Sequence, residues 1–261
     1  MMAMLGVLVC LQPWAANAEE RSLVPGICEL ADGGSATITA ALDATSLALD
    51  DGRVIRLAGI NAPPSLIDPA IPSAEMRALI GQSVEIRIGD VAIDRYGRTL
   101  AHVYASNGEW LQATILAAGH AVVASILDDR QCLTDLLVHE RLARDASRGL
   151  WAEYAVPDAW SDAIRTGSAR FALVEARIVS LGRTSRTVYL NTGRNWSTDF
   201  TVTFALDDAD IVEADSGPLD QLIGSVIRVR GWLSQRDGPW IRLDLGEQIE
   251  LLSVGDAGTA N

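Results

Sequence analysis

The stretch TSLALDDGRVIRLAGINAPP, residues 45–64, decides the reading of the fold. TSLALD (45–50) reads as a strand, Asp51-Gly52 as a tight hairpin turn and RVIRLAGI (53–60) as the returning strand. Upstream, ATITAALD (36–43) alternates less regularly and adds a further strand, so the three form a meander. Downstream, the loop NAPPSLIDPAIP (61–72) is too rich in proline to continue a ladder. Pro72 suits the first turn of a short helix, SAEMRALIG (73–81), which Gly81 ends. SVEIRI (83–88) alternates again, and DRYGRTLAHVYA (94–105) opens as a turn and becomes a strand. Asn107-Gly108 precedes a helix, EWLQATILAAG, stopped by Gly119, and another helix over roughly 133–148 ends at Gly149. Three strands, a helix and two strands is the element order of an OB-fold, a small Greek-key barrel, here capped by the two later helices. The fold class is mainly β with α.

After a connector at 151–170, punctuated by Pro157 and Gly167, the pattern restarts. FALVEARIVSLG (171–182), RTVYLN (186–191) and DFTVTFA (199–205) read as strands. An acidic loop with a short helix follows, then SVIRVRGWLSQ (225–235) and PWIRLDL (239–245). The same order of elements predicts a second OB-like β-barrel. The domain reading is therefore a leader at 1–18, a first barrel at 19–151, a linker at 152–170, a second barrel at 171–252 and a tail at 253–261.

The chain of 261 residues is 49% apolar, enough for sizeable cores. MMAMLGVLVCLQPWAANAEE (1–20) reads as a secretory leader, with a short apolar run, a breaker at Pro13 and an Ala-Asn-Ala cleavage site ending at Ala18. No Lys or Arg precedes the apolar run, so either the amino terminus alone supplies the positive charge or translation begins upstream. The expected location is periplasmic or secreted, with no transmembrane segment. Removal of the leader leaves Cys28 and Cys132, an even count that in an exported protein suggests a disulfide. Such a bond closes a loop of about 100 residues, worth ~4 kcal/mol on the chain-entropy argument. Two buried free thiols are the alternative. The net charge is −13 and every basic side chain is Arg. An overall acidic field argues mildly against general, sequence-independent nucleic-acid binding, though a local arginine cluster is compatible with it.

Three segments of the first half resemble, in order and spacing, the staphylococcal nuclease (thermonuclease) family. They are LDATSLALDDGRVIRLAGINAPP, DRYGRTLAHVYASNGEWLQATILAAGHAVV and LVHERLARDASRGLW, together covering most of residues 36–151. RLAGI-x-AP, DRYGR and the terminal GLW are the most specific pieces. The resemblance implies phosphodiester chemistry: a Ca²⁺ ion held by carboxylates, two arginines clamping the scissile phosphate, and a glutamate positioning water. By the same resemblance the clamp positions are Arg56 and Arg98, with Tyr96 and Arg95 beside them as binding residues. The metal-ligand positions fall on Thr45, Asn61 and Ala62, and the general-base position on Pro64. Two substrate-facing tyrosine positions fall near Ser125 and Leu127.

An amide and a hydroxyl bring no negative charge to a hard cation, and proline cannot take a proton. Each such loss typically costs ~10²–10⁴ in rate, so the residues point to an anion grip without its cutting machinery. No cofactor is expected, with Ca²⁺ entering only if replacement carboxylates such as Asp43, Asp68 or Glu75 restore hydrolysis. The partners expected are a nucleic acid or other polyanion, or an acidic component or protein of the envelope. An inert structural or protein-interaction module is the remaining alternative. Arg56 and Arg98 also have a bland reading, as ion-pair partners of Glu85, Asp43 or Asp94. His102, His120 and His139 show no metal-pair spacing and read as packing or surface residues. In the second half Arg194, Trp196, Arg228, Arg230, Trp232, Arg236 and Trp240 interleave, which suits either a stacking platform or barrel packing with a charged rim. The nearby acidic loop favours packing.

Overall fold

The computed structural model describes residues 30–62, 68–89, 91–124, 130–167, 169–235 and 237–254. The leader, Cys28, Pro64, Ser125, Leu127, Arg236 and most of the tail lie outside these residues. The first half contains β1 (Ala31–Asp43), β2 (Ser46–Leu49), β3 (Val54–Leu57), β4 (Ile60–Asn61), α1 (Ala74–Ala78), β5 (Ser83–Ile88), β6 (Thr99–Ala105), α2 (Leu111–Ala117), β7 (Val122–Val123) and α3 (Arg130–Asp145). Strands β1, β2, β3, β6 and β5 close into a barrel in that order. β1 is longer than its alternation suggested. Its first half pairs with β5 and its second half with β2, and register shifts along it supply the bend that closure needs. β3 and β6 run parallel, with Arg56 opposite Leu100. Ile38, Leu47, Ile55, Ile86 and Val103 fill the barrel, and Met76, Ile115, Leu116 and Leu136 from the helices seal it. Among the described residues no helix is long and apolar enough to cross a membrane.

α3 starts three residues before the expected position and ends at Asp145, short of Gly149. The gap has a packing reason. Gly119 and Gly149 both take positive φ and meet backbone to backbone: a Cβ on Gly119 would lie 2.1 Å from the Arg148 carbonyl oxygen. The Leu150 amide donates to the Gly119 carbonyl at 2.9 Å. This contact lets the chain turn sharply and seats Trp151 in the interior.

The second half contains α4 (Asp162–Arg165), β8 (Arg170–Arg177), β9 (Ser180–Arg183), β10 (Thr187–Asn191), β11 (Thr201–Ala205), α5 (Ala209–Ser216), β12 (Val226–Gln235), β13 (Pro239–Arg242) and β14 (Ile249–Ser253). The expected strand 171–182 is interrupted between β8 and β9, where the Val179 amide turns to bond the Asn191 carbonyl. β14 has no counterpart in the sequence reading. The seven strands form one sheet, in which β12 pairs with β14, β13 and β8. The ladders β12–β8, β9–β10, β10–β11, β11–β13 and β13–β12 follow the order of the first barrel's ladders, including one parallel pair, β11 with β13. The stretch read as a linker is folded against this sheet, with Asp158 bridged to Glu175 and Ile164 in the core.

The halves meet through two kinds of contact. Val122, Ala124, Ala143 and Trp151 from the first share a core with Phe171 and Leu173 from the second. Beside it, Arg230 of β12 is 1% exposed and reaches Glu140 of α3, which is fully buried, at 2.9 Å. The other end of the Arg230 guanidinium bonds Glu250 of β14. Glu140 also accepts the Val123 amide at 2.5 Å, and Arg144 bridges Glu140 and Glu250 at 3.2 and 3.0 Å. Burial alone would raise the Glu250 carboxyl pKa, but Arg230, Arg144 and Arg228 overcome that and hold it below the ordinary glutamate range.

Removing one member of a buried pair leaves an uncompensated charge, at a cost of ~3–5 kcal/mol. Glu140→Ala is therefore expected to lower the urea midpoint far more than Glu85→Ala, an exposed control. Because the Glu250 pKa is depressed in the fold, its contribution is present above the ordinary value of 4.5 and fades as pH falls through the lower native value. Midpoints measured against pH should show a flatter acid limb for Glu250→Gln than for the parent.

Candidate nucleic-acid interface

Arg56 sits on β3 with its side chain 8% exposed as a residue, an unusual burial for arginine. Its guanidinium donates to the Leu57 carbonyl at 2.7 Å and the Ile60 carbonyl at 3.0 Å. These bonds hold the turn at Ala58-Gly59, where Gly59 has positive φ and joins β3 to β4. Among the described residues Arg56 forms no ion pair. Burial lowers its pKa, the neighbouring Arg98 lowers it further, and Asp43 and Asp94 only partly compensate, leaving it at about 10.

Arg98 is placed by the DRYGR turn. Asp94 Oδ1 accepts the Tyr96 amide at 2.8 Å and the Arg98 amide at 3.0 Å, while Gly97 supplies the positive φ. Asp94 Oδ2 takes Nε and Nη2 of Arg98, both at 2.7 Å. The remaining Nη1 donates to Ser46 Oγ at 3.1 Å, and Ser46 stands opposite Arg56 in the β2–β3 ladder. The structure thus brings the two arginines to one corner of the barrel. Of the three carboxylates considered as partners, Asp94 is the one that binds Arg98; Glu85 pairs with Arg87 instead. Tyr96 is 68% exposed, with the Arg98 guanidinium 5.4 Å and that of Arg95 4.8 Å from its ring centroid. Arg95 also donates to the Tyr96 hydroxyl at 2.7 Å. Ser46 was not singled out by the sequence; its place across the ladder from Arg56 was the available signal.

The positions that the nuclease resemblance assigns to metal ligation do not fit Ca²⁺. The Thr45 amide and hydroxyl both donate to Asp43 Oδ1, at 2.7 and 3.1 Å, which ties one oxygen of that carboxylate to the turn. Asn61 lies in the short β4–β7 ladder and Ala62 is buried. The acids considered as replacements are engaged elsewhere. Asp68 accepts the Ala70 amide at 2.9 Å, and Glu75 contacts His120 Nδ1 at 2.9 Å. Among the described residues no group of three or more His, Cys, Asp or Glu is arranged around a common metal position.

The remaining candidates separate by environment. His102 is buried, with its ring 5.3 Å from Trp110. His139 faces Asp135 on α3 and is lowered in pKa by burial. Cys132 is buried on α3, and Cys28, its expected disulfide partner, lies outside the described residues. Arg228 and Arg230 are spent on Glu175, Glu140 and Glu250, so they belong to no stacking platform. Trp232 is 57% exposed and packs edge-on against Phe171. Trp196 and Trp240 line a different part of the surface, together with Arg186, Tyr189 and Arg242.

The fold is a five-strand barrel with Arg56 and Arg98 at one corner. Residues 54–153 match the family model described as staphylococcal nuclease homologue, a span from β3 to just beyond Trp151. Over these residues the first barrel is similar to staphylococcal nuclease homologues. The match covers less than half of the chain and leaves the second sheet unassigned. No curated protein matches the chain.

Without a set of charged oxygen ligands the corner offers Ca²⁺ little. Millimolar Ca²⁺ is expected to leave the thermal midpoint unchanged, since a thousandfold excess over a site's Kd would add about 4 kcal/mol. Differential scanning fluorimetry with Ca²⁺ and with a chelator checks this.

Proposed function

We infer that this is an exported nuclease homologue that grips the phosphate backbone of nucleic acid at Arg56 and Arg98 and does not cut it. The observation that carries the reading is the Arg56 guanidinium: buried, bonded only to carbonyls among the described residues, and beside a second guanidinium. A desolvated cation with incomplete compensation is stabilised by any anion that reaches it, and phosphate matches the planar fork of arginine. Asp94 orients Arg98 while leaving Nη1 directed toward Ser46 and the Arg56 side of the corner. Loss of hydrolysis follows from the poor fit of the metal positions. Export is supported by the leader-like first residues, and the Cys28–Cys132 bond belongs to the same reading.

A short abasic oligonucleotide, which offers phosphates without bases, probes phosphate binding at this corner without base contacts. Arg98→Gln is expected to weaken its binding about ten- to a hundredfold, the worth of a charge-assisted hydrogen bond. Circular dichroism verifies that the variant folds. A fluorescent DNA or RNA strand should remain intact with Ca²⁺, Mg²⁺ or Mn²⁺. Chelator-sensitive cleavage would instead establish a phosphodiesterase, and unchanged abasic affinity in Arg98→Gln would leave the domain an inert module. In the leaderless oxidised protein no thiol should titrate until reductant is added; two titratable thiols would remove the disulfide.

A further inference from the structure

The outward face of the second sheet carries a cleft of about 590 Å³, within the roughly 300–1,000 Å³ of small-ligand sites. It is separate from the arginine corner. Its floor follows from strand register. Tyr189, Thr203 and Arg242 form one cross-strand row over β10, β11 and β13, and Asn191, Thr201 and Trp240 form the next. Alternate residues of the same strands, Val188, Leu190, Val202 and Ile241, fill the core. Thr201 and Thr203 are nonetheless each only 8% exposed, so the larger side chains around them wall the face rather than lie flat on it. Trp196, 67% exposed on the β10–β11 loop, forms one wall. Arg186 stands at the turn before β10 and Asp237 on the β12–β13 hairpin.

The charges of this cleft are largely uncommitted. Among the described residues Arg186 has no ion pair, and Arg242 meets only Asp244, at 3.3 Å with both side chains well exposed. Such a pair contributes little and yields readily to a competing anion. The combination is therefore flat aromatic rings, two available guanidinium groups and a hydroxyl-lined floor. A fully apolar ligand would waste the arginines, and a simple anion would leave three aromatic rings unused.

We propose that this cleft binds single-stranded nucleic acid, with bases stacked on Tyr189, Trp196 and Trp240 and backbone phosphates met by Arg186 and Arg242. Stacking is indifferent to sequence because every base has a π-face. Asp237 offers an acceptor to base N–H groups and opposes dense phosphate charge, which disfavours a rigid duplex.

The test is tryptophan fluorescence titration of the full leaderless chain with short oligothymidylate. Binding should quench the signal, and the log–log salt dependence should be shallow, about −1.4 for two phosphate contacts on a single strand. Trp196→Ala and Tyr189→Ser, at positions outside the core, should each weaken binding about 5- to 150-fold, the worth of one base stack. An abasic strand of equal length should lose affinity for the cleft by a similar factor. Arg98→Gln should retain the base-dependent part of the affinity, which separates this site from the arginine corner. Equal affinity for oligothymidylate and the abasic strand overturns the proposal, as does unchanged affinity in both aromatic variants. Binding of a proline-rich peptide with none of the oligonucleotide would reassign the cleft to protein recognition.

Discussion

Arg230 is buried between Glu140 and Glu250, and the relation of the two halves depends on it. A guanidinium taken out of water is tolerable only where carboxylates surround it, and these come from α3 on one side and β14 on the other. Burial pulls the Arg230 pKa down, and the two glutamates more than restore it. The charge therefore stays on, and each partner must stay in place to keep it paired. Because Glu140 also receives the Val123 amide, the pair fixes β7 and α3 together. The adjoining core of Trp151, Phe171 and Leu173 adds apolar area without direction, while the ion cluster supplies orientation.

The first barrel uses its buried arginine differently. Arg56 is surrounded by carbonyls and by Arg98, so its charge is less fully offset than that of Arg230. The two buried arginines among the described residues thus sit in opposite electrostatic settings. One is closed by carboxylates and serves architecture, while the other is held by backbone carbonyls beside a second guanidinium. Asp43, in the β1–β2 turn, accepts from the Thr45 amide and hydroxyl and so organises backbone.

The arginine corner and the outward sheet face belong to the two halves joined by these contacts. Neither feature alone makes an acidic chain of net charge −13 a strong polyanion binder. Recognition that leans on stacking and a few well-placed guanidinium groups is compatible with that charge, because it asks for little counterion release.

Alternation and turn chemistry, being local signals, gave the five strands that close the first barrel and the hairpin at Asp51-Gly52, whereas the association of Arg56 with Arg98 came from the resemblance to the nuclease family. Asp94 was visible as one of several acids near Arg98, but its choice over Glu85 required the folded turn. Ser46, Arg186, Tyr189 and Arg242 escaped notice, since each acquires meaning only from the strand beside it. RVRGW is the clearest case: alternation correctly separates Val229 from its neighbours, yet it assigns Arg228, Arg230 and Trp232 one common face and no partners. The arrival of α3 and β14 over that face turned Arg230 inward to carboxylates and left Trp232 in water. Local periodicity tells which way a side chain points; long-range packing decides what waits there, and for a charged group that neighbour determines whether it binds a ligand or holds the fold.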